Sequence, residues 1–158
     1  YIGYSMGCAP IIGYHYGAGN KDELKNLFKK SLRIILVMSI VLTVAAEALA
    51  RPLSMIFVSY DQELLEMTTY AFAVYSVSFL ISGYNIYASS FFTALNDGFT
   101  SALISFCRTL IFEVIAVLVL PVLFGAYGIW YAVITAEVFA LMLSVFFLVR
   151  NRKKYGYI

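Results

Sequence analysis

Charge is what this sequence has least of. Only 13% of its 158 residues are charged while 62% are hydrophobic, and the mean hydropathy is +0.85. Soluble domains carry about a quarter charged residues, so an ordinary soluble enzyme and a disordered tail are both disfavoured and the membrane class is indicated. A net charge of only +2 leaves no electrostatic footprint for nucleic acid, and none is expected as a partner. Cysteine is nearly absent. Cys8 and Cys107 both lie in apolar stretches and read as small packing residues, with neither a disulfide framework nor a metal site in prospect. No metal-ligand cluster and no nucleophile–base pairing can be read. Gly17-Ala18-Gly19 has no strand before it and no Lys-Ser/Thr after it, so it is not a phosphate loop. No catalytic residue, cofactor or enzymatic activity is therefore expected. The chain opens Tyr1-Ile2-Gly3, without an initiator Met, a basic n-region or a cleavage site. It reads as a fragment that begins inside a helix.

What is present is apolar sequence in long runs. Residues 34–49, 68–95, 102–123 and 127–149 are each long enough to span a bilayer, and none alternates as a strand does. The expected fold is an all-α integral membrane protein with four full transmembrane helices and the end of a fifth. That fifth helix ends over 1–16, with Gly3-x-x-x-Gly7 and Gly13-x-x-x-Gly17 favouring close helix approach and Pro10 between them favouring a kink or unwinding. A basic amphipathic linker helix is expected over 17–33. Leu24, Leu27, Phe28 and Leu32 share one face, and the face dips into the headgroups. Transmembrane helices follow over 34–50, 67–95, 101–121 and 127–149. They are joined by an outer loop over 51–66, a turn over 96–100 and an outer loop over 122–126, and a tail occupies 150–158. Asn20 with Glu23, and Ser59 with Gln62, have the spacing of capping boxes.

Nine of the eleven basic residues fall on one side of these spans. Lys21, Lys25, Lys29, Lys30 and Arg33 precede the first, and Arg150, Arg152, Lys153 and Lys154 follow the last. The positive-inside rule makes that side, the Asn96-Asp97-Gly98 turn and the C-terminus cytoplasmic in a multi-pass plasma-membrane protein. Tyr127, Trp130 and Tyr131 then form an outer aromatic belt, and Tyr155 and Tyr157 flank the inner face.

Function in such a chain is sought at intramembrane polar groups, because each costs several kcal/mol unless it has a partner or water. In the second span Tyr75, Ser78, Ser82, Asn85, Ser89 and Thr93 follow spacings of three and four along one helical face. This stripe is either a helix–helix hydrogen-bonding seam or the wall of a substrate cavity. In the third span Arg108 shares a face with Ser101 and Ser105, and Glu113 lies about 140° away around an α-helix. The fourth span holds Glu137. In an antiparallel pair turning near Phe124, Glu137 falls within roughly 3–5 Å in depth of both Arg108 and Glu113. An Arg108–Glu137 ion pair with a structural role is expected. Glu113, left without a cation, is either inert or a candidate to carry a coupling proton. Glu47, four residues before Arg51, is expected to pair with it locally. His15 sits at the end of the partial helix, where it is either passive or titrates near neutral pH.

The run Gly7-Cys8-Ala9-Pro10-Ile11-Ile12-Gly13-Tyr14-His15-Tyr16-Gly17-Ala18-Gly19-Asn20 and the basic helix after it resemble the multidrug and toxin extrusion (MATE) family of secondary transporters. So do Phe91-Phe92-Thr93-Ala94-Leu95 with the Asn96-Asp97-Gly98 turn, and Ser105 with Arg108. Leu120-Pro121-Val122-Leu123-Phe124-Gly125-Ala126-Tyr127-Gly128-Ile129-Trp130 and Ala136-Glu137 complete the resemblance. It implies twelve helices in two six-helix lobes, of which this chain is similar to the end of helix eight through helix twelve. It further implies an antiporter expelling amphipathic or cationic small molecules against inflowing protons or sodium ions. The amino-terminal lobe, where the family has its acidic cation site, would be the partner this chain lacks, and the chain alone is expected to be inactive. His15 stands where the family more often has Asn. Two other readings fit the same architecture less well. A flippase for lipid-linked saccharides shares the two-lobe plan but calls for a strongly cationic cavity, against which stand one intramembrane Arg and two carboxylates. A non-transporting scaffold or sensor subunit would have its polar stripes sealed as packing.

Overall fold

A computed structural model describes residues 1–158, apart from the side chain of Ala126. The described residues are almost wholly helical: α1 (Ile2–Gly17), α2 (Lys21–Val58), α3 (Gln62–Ser76), α4 (Phe79–Ala94), α5 (Gly98–Phe106), α6 (Glu113–Phe124) and α7 (Gly128–Tyr155). A π-helical stretch, Cys107–Phe112, joins α5 to α6, and a 3₁₀ turn, Gly125–Tyr127, joins α6 to α7. Three helical units are long and apolar enough to cross a membrane: Lys21–Val58, Gly98–Phe124 and Gly128–Tyr155. The pair α3 and α4, bent by 43° at Val77-Ser78, makes a fourth if it crosses as one span.

Local chemistry explains the breaks. Gly19 takes a φ of 69° after α1, and Asn20 then caps α2 by accepting the Glu23 amide at 3.1 Å. The return half of that capping box is missing, because the Glu23 carboxylate accepts from Asn26 at 3.1 Å instead. Asn96 takes a φ of 61°, and Asp97 caps α5 through the Thr100 amide at 3.1 Å. At the third start the cap is Asp61, which accepts from Leu64 at 3.1 Å, rather than the expected Ser59.

Several expected boundaries shift. The linker helix over 17–33 and the span over 34–50 are one helix of 38 residues, since nothing between Ser31 and Ile34 breaks it. At ~1.5 Å per residue α2 is about 57 Å long, nearly twice the ~30 Å hydrocarbon core, so it projects well beyond the bilayer. Its far end continues through Pro52 to Val58, and the loop expected over 51–66 shrinks to three residues, 59–61. Pro10 likewise lies inside continuous α1. Of the four glycines in α1, a Cβ on Gly13 would touch the Ala94 carbonyl, while one on Gly3, Gly7 or Gly17 would meet nothing within 4 Å among the described residues. The close approaches are made elsewhere, at Gly83 against the Tyr1 ring and at Gly128 against the Leu120 carbonyl.

The core is displaced towards the basic end. Ile12, Leu24, Phe28, Ile35, Tyr87, Phe91, Phe92, Leu95, Ile104, Tyr155 and Tyr157 form its main cluster. The apolar face of the basic segment therefore docks on protein, with Leu24 and Phe28 buried, rather than dipping into headgroups. The tail is docked too. Helix α7 runs to Tyr155, Gly156 reverses the chain at a φ of 71°, and Tyr157 enters the core. There its ring lies 4.9 Å from that of Phe91, and its hydroxyl donates to the Leu148 carbonyl at 2.8 Å. Tyr155 and Tyr157, expected to flank the inner face, are core residues at the basic end. On the far side Tyr70 joins α3 to α7, bonding the Tyr131 hydroxyl and meeting the Tyr127 ring edge-on.

Candidate functional site: an ionic network between α4, the π segment and α7

Arg108 and Asn85 converge on Glu137 of α7. Arg108 reaches Glu137 from the π-helical stretch, with Nη2 donating to Oε1 at 2.7 Å and Nε to both carboxylate oxygens at 3.0 and 3.1 Å. The Glu137 side chain is 8% exposed and that of Arg108 26%. From α4, Asn85 Nδ2 donates to Glu137 Oε2 at 2.7 Å and to the Glu137 carbonyl at 3.0 Å. Asn85 Oδ1 in turn accepts from Ser144, two turns further along α7, at 3.1 Å. A carboxylate in a low-dielectric interior needs both a countercharge and filled lone pairs, and this network provides both.

The six-residue stripe, which runs from α3 across the bend into α4, divides between neighbours. Asn85 is fully buried against α7 and does not line an open cavity here; Ser82 and Ser78 are also buried. Ser89 and Thr93 turn to α5 instead. Ser89 Oγ lies 2.9 Å from Ser101 Oγ and 2.7 Å from Ser105 Oγ, and Thr93 Oγ1 lies 2.7 Å from Ser101 Oγ. Tyr75, on α3 before the bend, is exposed and packs edge-on to Phe79. The bend at Val77-Ser78 separates it from the rest of the stripe, which a single straight helix would have kept in line.

Glu113 opens α6, half-buried, with no ion pair or side-chain hydrogen bond among the described residues. The π-helical stretch before it underwinds the helix, so the 140° separation from Arg108 computed for an α-helix does not hold. Glu47 also differs from expectation. It accepts a 2.6 Å hydrogen bond from Ser76 on α3 and forms no ion pair with Arg51 among the described residues. His15 Nδ1 is buried without a hydrogen-bond partner among the described residues.

At the basic end Asp97 gathers three elements. Its Oδ1 caps α5, while its Oδ2 accepts from the Tyr155 hydroxyl at 2.6 Å and lies 3.9 Å from Lys154 Nζ. Burial pushes the Asp97 carboxyl up, but the Tyr155 and Thr100 hydrogen bonds and the Lys154 charge outweigh it and hold the group below its ordinary 3.8. The Tyr155 phenol moves the opposite way, raised by burial and by donating to that carboxylate. Lys21 packs against Gly156, so the basic residues preceding and following the spans meet at one end of the molecule.

Two residues here were missed in the sequence: Ser144, whose signal is its seven-residue spacing from Glu137, and Ser76, which partners Glu47. Tyr157 had no signal, because an aromatic near a chain end reads the same whether docked or free.

Comparison with known proteins places these features. Relatives include the multidrug export protein MepA of Staphylococcus aureus strain MSSA476, 28% identical over 155 residues, which are 96% of this chain and 33% of that protein. MepA of strain bovine RF122 / ET3-1 is 26% identical over the same coverage. The chain thus spans about a third of the length of the curated relatives it matches. No solved structure matches. The MatE family model matches residues 1–119, from α1 through most of α6, and takes in Arg108, Glu113 and Asn85; the chain belongs to the MatE family of multidrug and toxin extrusion proteins.

Proposed function

We propose that this chain is the carboxy-terminal part of a secondary active antiporter that exports drugs or organic cations in exchange for protons or sodium ions. The observation that carries the reading is the family match, in a chain whose relatives are multidrug export proteins. The intact transporter works by rocking two lobes around a midplane cavity, the expected behaviour of transporters built from repeats. In that protein Arg108 and Glu137 hold this lobe together. Glu113 is the ion-coupling group on this side, a reading supported by its lack of any cation among the described residues. Tyr75, exposed, is the foremost candidate for contact with an amphipathic or cationic substrate; Ser78, Ser82 and Ser89, buried or hydrogen-bonded here, reach substrate only if these helices part during transport. The full burial of Asn85 favours a second reading for that one residue, in which it fixes the Glu137 carboxylate instead of touching substrate. The basic end faces the cytoplasm of the plasma membrane, in keeping with its nine clustered cations. The amino-terminal lobe is the obligatory partner, and this chain by itself does not transport.

The test is Glu113→Gln in the full-length transporter, reconstituted in vesicles with imposed proton or sodium gradients. Ion-driven efflux of an organic cation is expected to fall about tenfold or more and to lose its pH dependence, with protein abundance unchanged. Efflux with unaltered rate and pH profile removes Glu113 from coupling. Comparing the two gradients identifies the ion.

A further inference from the structure

We propose that α7 carries a binding site for one anionic phospholipid of the leaflet nearest the basic end. Leu141, Met142, Val145, Phe146 and Val149 line an open groove of about 580 Å³ that is almost entirely apolar, and Arg150 closes its end. From Leu141 to Arg150 is about 13 Å along the helix, close to half of a ~30 Å hydrocarbon core. The groove therefore has the depth of a single leaflet, and its length suits an acyl chain lying along α7. The guanidinium is held at the mouth, 5.9 Å over the Phe146 ring, and makes no ion pair among the described residues. Lys153 lies three residues on, on the same face and exposed. A planar donor fork at headgroup depth, backed by a second cation, is matched to a phosphate carrying net negative charge. Charge complementarity at one end and apolar continuity over the rest select an anionic lipid above a zwitterionic one. Lys154, one turn on from Arg150, lies 3.9 Å from Asp97 and its charge is shared with that carboxylate.

The site differs from the general attraction of a basic end for anionic membranes, and the experiment separates the two. The 158-residue chain is extracted from bilayers of equimolar phosphatidylglycerol and phosphatidylcholine, and its retained lipid is counted by native mass spectrometry. One phosphatidylglycerol is expected to be retained in preference to phosphatidylcholine. Arg150→Gln should lower that preference about fivefold, the worth of one near-surface cation. Arg152→Gln removes the same charge from the opposite side of the helix and should leave the preference within twofold of the parent. Val145→Trp fills the groove without touching charge and should lower retention as Arg150→Gln does. Circular dichroism on each variant separates loss of lipid from loss of fold. Equal losses from Arg150→Gln and Arg152→Gln, retention of both lipids alike, or a lipid-free dimer closing the groove overturns the site.

Discussion

At the scale of single residues, the decisive contact is the one between Arg108 and Glu137. A carboxylate this deeply placed is tolerable only while its cation is present, and removing one partner of a buried pair costs roughly 3–5 kcal/mol. Arg108→Leu should therefore depress the yield of folded protein and its thermal midpoint, while the double change Arg108→Leu with Glu137→Leu should recover much of the loss. Normal abundance and an unshifted midpoint for the single variant would count against a structural role. The pair was legible beforehand, since helical rise alone puts both residues at matching depth. Asn85 was not, because a polar stripe on a helix looks the same whether it meets a neighbour or a cavity. Asp97 makes a prediction of a different kind. Its folded pKa lies below the ordinary 3.8. Its contribution to stability is thus fully present above that value and disappears as pH falls through the lower folded one. Carboxypeptidase access to the Tyr155-Gly156-Tyr157 end should stay low down to about pH 4 and rise below it. Asp97→Asn should flatten that dependence; an acid transition persisting in the variant would show that another group controls the docking.

At the scale of elements, hydropathy located three helices long enough to span and the bent α3–α4 pair, while what joins them depended on contacts between segments distant in sequence. Helix α2 runs unbroken because Leu24, Phe28, Ser31, Ile35 and Ser39 form one buried stripe, continuous from the basic segment into the span. A reading that takes charge as the end of a helix divides it at Arg33. The glycines teach the same lesson. The paired spacing lies in α1, yet a Cβ on Gly3 would meet nothing within 4 Å, while one on Gly128 would run into the Leu120 backbone. Gly128→Ala should force the α6–α7 junction apart and cost about 1–3 kcal/mol. Gly3→Ala should be neutral or stabilising by up to about 1 kcal/mol, since alanine is the better helix former. Thermal unfolding of the two variants in the same detergent checks the contrast, and similar midpoints would refute it.

At the scale of the whole molecule, the distribution of buried and exposed groups bears on what this chain does unaided. The main aromatic cluster lies towards the basic end, tied by Tyr157, Phe91 and Phe28. Towards the other end the buried side chains are smaller: Ala116, Ala132 and Ala136 between α6 and α7, Ala50, Ser54, Leu65 and Ala71 between α2 and α3, with the Tyr70–Tyr131 link beside them. Large apolar side chains on α2, α6 and α7 face outwards, as they must in lipid or against further protein. Two of the carboxylates within the helices are held by partners, Glu137 by the Arg108 guanidinium and Glu47 by the Ser76 hydroxyl. Alternating access needs two bodies that move past each other around a site open to each side in turn. The network across α4, the π segment and α7 instead fastens those helices into one body, leaving Glu113 and Tyr75 to meet whatever lies opposite. The chain reconstituted alone, with proton and sodium gradients applied in either direction, should accordingly show no gradient-driven movement of a fluorescent organic cation above protein-free vesicles. Co-expression with the amino-terminal lobe of a full-length relative should restore it. Robust gradient-driven transport by the chain alone would mean that these helices already contain both moving parts, and would refute the single-body reading.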